Sequence, residues 1–120
     1  MKIFLLMMLC HLIDDFTLQP VILSKLKQKE FWKDLPRIYR NDYKIALFLH
    51  SLEWSIMIHL PIMFLCENCP DCLLFWSVLV NSGIHTWIDD LKANGKKISL
   101  VVDQSIHFLQ VIITCFIWIS

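Results

Sequence analysis

Four apolar stretches, each interrupted by a few polar residues, organise the chain: residues 3–23, 43–65, 72–91 and 98–119. A helix that crosses a bilayer needs ~20 mostly apolar residues, and each stretch meets that length. The backbone of a spanning segment must satisfy its own hydrogen bonds, so helix is the expected conformation for all four. The pattern predicts an all-α polytopic membrane protein, a four-transmembrane-helix bundle forming a single membrane domain over residues 1–120.

The connections are of two kinds. Residues 24–42 carry Lys25, Lys27, Lys29, Lys33, Arg37 and Arg40 among Phe31, Trp32 and Tyr39. Such a segment reads as a basic interfacial stretch along the headgroups, broken at Pro36, or as a plain solvated loop. Asn94-Gly95 marks a tight turn before the fourth helix, and residues 68–70 mark the turn between the second and third. Short loops rich in Lys and Arg stay on the cytoplasmic side. Loops 24–42 and 92–97 are basic, whereas the middle loop holds only Glu67 and Asp71. The expected location is therefore the cell inner or plasma membrane, with the basic loops cytoplasmic and both termini outside.

Composition agrees with this and narrows it. Hydrophobic residues make up 57% and charged residues 18%, with mean hydropathy +0.57, more apolar surface than a soluble domain of this size can bury. A soluble helical bundle or a subunit buried in a complex is the competing reading. The formal net charge is +0, and most of the basic residues lie in a short aromatic-rich segment, so the expected partners are the lipid bilayer and further copies of the chain in a homo-oligomer, not nucleic acid. Lys2 followed by apolar residues and Cys10 resembles a secretory or lipoprotein leader. Leu9 is a poor cleavage residue, so a retained helix is the better reading. Cys10 and Cys115 sit in apolar runs as packing residues. Cys66, Cys69 and Cys72 form a C-x-x-C-x-x-C run that can form a disulfide but lacks a fourth zinc ligand.

The polar interruptions carry the chemistry. His11 and Asp15, His85 and Asp89, and Asp103 and His107 are each four residues apart, so each pair shares one helical face. Gln19 extends the first face, and His50 and Glu53, three apart, share a face of the second helix. With the topology above, all these faces meet at the cytoplasmic-side depth. A carboxylate at the centre of a spanning helix costs about 2.5–3.5 kcal/mol, so several in one bundle need partners. Imidazole with carboxylate is a ligand set for Zn²⁺, Mn²⁺ or Fe²⁺, and a pair of such metals about 3.5–4 Å apart suits phosphoester hydrolysis. The expected metal ligands are His11, Asp15, His85, Asp89, Asp103 and His107. His50 and Glu53 are the candidate catalytic bases or further ligands, and Gln19, Lys92 and Gln104 the candidate substrate- or cofactor-orienting groups. A structural hydrogen-bond network and a proton or cation path are the alternatives. His59, Asp14 and Asp90 read as packing or hydrated margin.

These motifs carry a resemblance. His11-Leu-Ile-Asp-Asp15-Phe-Thr-Leu-Gln19 resembles the H-x-x-x-D-F-x-x-Q opening of a family of small bacterial and phage membrane proteins known only as a domain of unknown function. His85 to Lys92 resembles that family's H-x-x-x-D-x-x-K segment, and Asp103-Gln104-Ser-Ile-His107 its D-Q-x-x-H segment. The resemblance spans nearly the whole chain and implies a multi-pass membrane fold without an activity; the Cys-rich turn lies outside it. The leading expectation is an intramembrane His/Asp metal site in a metal-dependent hydrolase of lipid-type phosphoesters. A proton- or cation-coupled transporter subunit and a non-catalytic membrane partner are the alternatives.

Overall fold

The structure is a computed structural model and describes residues 1–119. Among them every regular element is helical. Helix α1 (Lys2–Ile13) runs into a π-helical turn (Asp14–Leu18); the short helices α2 (Val21–Leu26) and α3 (Lys29–Trp32) follow, then a 3₁₀ turn (Arg37–Tyr39). The long helices α4 (Asp42–Leu65), α5 (Asp71–Ala93) and α6 (Leu100–Ile119) complete the chain. Helix α4 packs against α1 and α5, and α6 closes the bundle against the same two helices.

The first predicted helix is not continuous to residue 23. Proline has no N–H to give to the carbonyl four residues back, and it disfavours helical backbone in the residue before it. Gln19 is accordingly extended, at φ −75° and ψ 99°. The turn ahead of it widens so that the Gln19 N–H reaches the Asp14 carbonyl, five residues back, at 3.0 Å. This wide turn has a consequence for the interior: Asp14 is buried, and Asp15 beside it is only part-exposed.

Among the described residues, two helices are long and apolar enough to cross a membrane, Arg37–Leu65 and Leu100–Ile119. Helix α5 matches them in length at 23 residues but carries Asp71, Asp89, Asp90 and Lys92, and α1 alone has 12 residues. The side chains are distributed inside out. Among the described residues, fifteen polar or charged ones are buried against ten hydrophobic ones, while Leu, Ile, Phe, Val and Trp dominate the outer surface of every long helix. Apolar packing is concentrated in one cluster of Met7, Trp54, Ile58, Ile62, Val111 and Cys115.

The loops are also specific. Cys66 and Cys69 are joined in a disulfide, whereas Cys72 at the start of α5 is free and exposed. At the other end of α5, Asn94 ties down the α2–α3 connection. Its Oδ1 accepts from the Lys29 N–H at 2.7 Å, and its Nδ2 donates to the Lys27 carbonyl at 3.0 Å. Gly95 is needed beside it, since a Cβ there would lie 2.9 Å from the Leu91 carbonyl oxygen.

Candidate metal centre

The polar faces converge at one end of the bundle, where α1 meets its π turn, α5 approaches its C-terminus and α6 begins. Trp54 on α4 is the floor between this polar end and the apolar cluster. Its indole stacks on His85 at 4.3 Å between ring centres and lies 5.5 Å from His107. Its Nε1–H donates to His11 Nδ1 at 2.9 Å.

Above that floor the Nε2 atoms of three histidines gather round Asp89. His107 Nε2 is 3.4 Å and His85 Nε2 3.8 Å from Asp89 Oδ1, and His50 Nε2 is 3.6 Å from Oδ2. His50 and His85 approach each other at 3.3 Å through their Nε2 atoms. Asp103 Oδ1 lies 3.4 Å from His107 Nε2, and Asp15 Oδ1 3.9 Å from His50 Nε2. Two groups of three have ligand atoms all within 4.8 Å of one another: His85, Asp89 and His107, and Asp15, His50 and His85. The first is entirely buried. These groups can hold a metal ion.

The tautomers follow from the surrounding hydrogen bonds. Gln110 Nε2 donates to the Asn81 carbonyl at 3.2 Å, which turns Gln110 Oε1 toward His107 Nδ1 at 3.1 Å. An amide oxygen only accepts, so His107 carries its proton on Nδ1. Neutral His107 therefore presents a bare Nε2 lone pair to two carboxylates. That arrangement is repulsive unless a proton or a cation lies between them. The same logic treats His11 oppositely. Its Nδ1 accepts from Trp54, so neutral His11 has its proton on Nε2 and no lone pair left for a metal.

Ammonium groups supply part of the compensation. Lys27 Nζ lies 2.6 Å from Asp89 Oδ2, with both side chains buried, and Lys92 Nζ lies 2.6 Å from Asp103 Oδ2. Gln104 Nε2 donates to Asp15 Oδ2 at 3.0 Å and to Asp103 Oδ2 at 3.2 Å. Compensation stays incomplete. Both Asp14 oxygens, Asp103 Oδ1, His85 Nδ1 and His107 Nε2 are buried without a hydrogen-bond partner.

Of the residues singled out from sequence, His50, His85, Asp89, Asp103 and His107 are buried together, with Asp15, Lys92 and Gln104 at their edge. His11 lies beside the group, 3.6 Å from Asp15 through the nitrogen that Trp54 already occupies. Gln19 lines the hollow outside it. Glu53 is not brought in. It is exposed, because the inward face of α4 at this height is set by His50 and Trp54, and Glu53 falls to one side of both. His59 is satisfied elsewhere, by the Ser55 carbonyl and the Ser77 hydroxyl, each at 2.7 Å. Two participants were not anticipated. Lys27 is one basic residue among six in its segment, and nothing local distinguishes it. Asp14 is 1% exposed, against the expected hydrated margin. Its signal was Pro20, which widens the preceding turn.

The family model described as a protein of unknown function, DUF3307, matches residues 3–120. No curated protein and no solved structure matches the chain.

Proposed function

Since the chain belongs to the DUF3307 family of unknown function, its chemistry has to be read from the site, and we propose a four-span membrane protein that binds a divalent metal at the headgroup-level end of its bundle and hydrolyses lipid-type phosphoesters. The observation that carries the metal is the bare Nε2 of His107 facing Asp89 and Asp103 at 3.4 Å each, with His85 Nε2 beside it. A cation among His85, Asp89 and His107 turns mutual repulsion into coordination, and two imidazoles with one carboxylate are a ligand set of Zn²⁺, Mn²⁺ or Fe²⁺.

The roles follow from the distances. Such a metal supplies Lewis acidity and a bound water acidified toward neutral pH. His50, 3.6 Å from Asp89 and 3.9 Å from Asp15, would serve as the general base. Gln110 holds the His107 tautomer, and Asp103 is held in turn by Lys92 and Gln104. His11 and Trp54 support the floor rather than coordinate.

The membrane setting rests on the inside-out distribution of side chains and on the two spans of sufficient length. Polar residues that face the bundle interior are what lets α1 and α5 join those spans. In this setting the basic loops are cytoplasmic, and the Cys66–Cys69 disulfide lies on the opposite side, where disulfides persist.

Elemental analysis of the purified chain tests the reading, followed by phosphate-release assays on phospholipid substrates. Stoichiometric metal that disappears in His85→Ala supports it; no transition metal in the wild-type protein removes its basis. A second reading has one observation in its favour. A doubly protonated His107 between Asp89 and Asp103 would be a proton-carrying station, and proteoliposome flux dependent on Asp89 and Asp103 without hydrolysis would select that transporter function.

A further inference from the structure

Lys27 and Lys92 do more than neutralise carboxylates, because both also line open space. Two adjoining hollows of about 340 and 240 Å³ share Gln19, Ser24, Lys27, Asp89 and Lys92 as walls. They open at the end of the bundle where the metal-ligating groups lie, and Lys96 extends the basic lining of the larger one. The donors in these walls are ammonium groups, amides and a hydroxyl, set beside the carboxylates of Asp89 and Asp15. Such a lining suits an anion with several acceptor oxygens.

The lysines are engaged, however, with Asp89 and Asp103, the carboxylates that a metal would take. The ammonium groups hold the Oδ2 atoms, whereas the oxygens that face His107 are Asp89 Oδ1 and Asp103 Oδ1, so metal and ammonium oppose each other through charge and not by sharing one position. Lys27 Nζ sits 2.6 Å from Asp89 Oδ2 and Lys92 Nζ 2.6 Å from Asp103 Oδ2, so the ammonium groups share each carboxylate's negative charge with whatever lies on its Oδ1 side. A divalent cation on Asp89, next to Asp103, leaves both ammonium groups with less negative charge to face, and the hollow is the space they line.

We propose that Lys27 and Lys92 form a phosphate subsite that metal binding strengthens: a metal on the Oδ1 side of Asp89 weakens the hold of the carboxylates on the two ammonium groups at Oδ2, which then bind the phosphate group of the substrate in the hollow lined by Gln19 and Ser24. The proposal rests on the metal reading above and names the ligand that reading left without a binding site. Metal and phosphate then bind with positive coupling, each tightening the other by the same factor. Asn94 fixes the backbone of Lys27 to the end of α5, so only the lysine side chain has to move.

The test uses the full chain in phosphatidylcholine nanodiscs, with calorimetric titration of inorganic phosphate before and after loading with stoichiometric Zn²⁺. Loaded protein is expected to bind phosphate about tenfold more tightly than metal-free protein. Lys27→Gln and Lys92→Gln should each weaken phosphate binding to the loaded protein about tenfold, while Lys92→Arg, which keeps the charge, retains it. Lys27→Gln should at the same time tighten Zn²⁺ binding, because a competing cation is gone. A merely misfolded variant would lose both, so these opposite signs identify the role. Phosphate binding indifferent to Zn²⁺, or unchanged in both Gln variants, overturns the subsite and leaves the metal site standing. A wild-type chain that binds no Zn²⁺ overturns the metal reading and the subsite with it. Nanodiscs containing phosphatidic acid form the second arm. Displacement of inorganic phosphate by that lipid identifies a headgroup ligand, and retained phosphate binding identifies a soluble one.

Discussion

Lys27 Nζ and Asp89 Oδ2 lie 2.6 Å apart inside the bundle, although 62 positions separate them in the chain. The pair joins the short basic connection to the end of α5 that carries His85 and Asp89, and Asn94 locks the same connection from the backbone side. Removing one partner of a buried ion pair leaves the other charge stranded, at a cost of about 3–5 kcal/mol. Lys27→Met should therefore lower the thermal stability of metal-free protein by about that amount in detergent, and added Zn²⁺ should restore most of it. Calorimetric melting with and without chelator checks both halves.

Trp54 gives a prediction that separates packing from hydrogen bonding. Trp54→Phe keeps an aromatic floor under His85 but strands His11 Nδ1, so it should cost about 1–3 kcal/mol. Trp54→Ala also opens a cavity and should cost about 3–5 kcal/mol. Urea titration of the reconstituted protein distinguishes the two, and the Ala variant should lose metal as well, because His85 and His107 lose the ring that positions them.

Asp14 is buried with neither oxygen hydrogen-bonded, and its Oδ2 lies 4.0 Å from His50 Nδ1. An unpartnered carboxylate is costlier to bury than a neutral amide of the same shape. Asp14→Asn should accordingly raise the stability of the metal-free protein by about 1–3 kcal/mol, measured as a higher melting temperature. If Asp14 instead orients His50 in the working site, the same variant loses turnover while gaining stability, and parallel activity and melting measurements display that exchange.

Metal removal should destabilise the fold in proportion to metal binding. At a free metal concentration about a hundredfold above the dissociation constant, the expected stabilisation is about 2.7 kcal/mol, lost on adding chelator. His85→Ala should be insensitive to chelator, which melting curves with and without it will reveal.

Cys72 reports topology. It is free and exposed next to the Cys66–Cys69 disulfide, so a membrane-impermeant thiol reagent should label it in intact cells if this loop faces outward. Labelling only after cells are opened would invert the proposed orientation.

The i, i+4 spacing of His85 with Asp89 and of Asp103 with His107 determined, by helix geometry alone, that each pair shares a face, and the apolar runs determined that the chain is helical. Those are local properties, fixed by periods of 3.6 residues and by the length of each run. What needed the tertiary structure was which faces meet and what lies between them. Glu53 shares a helix turn with His50 yet stays outside, because α4 turns His50 and Trp54 inward. His11 fits the motif but spends its lone pair on Trp54, a partner 43 residues away. Lys27 reaches Asp89 from a connection that Asn94 ties to α5, and no local pattern encodes a contact between such distant segments. Sequence thus determined the helices and the ligand types on their faces. The packing of one helix on another decided which of those side chains share a centre, because charge pairing and hydrogen bonding across helices depend on distances that only the folded chain sets.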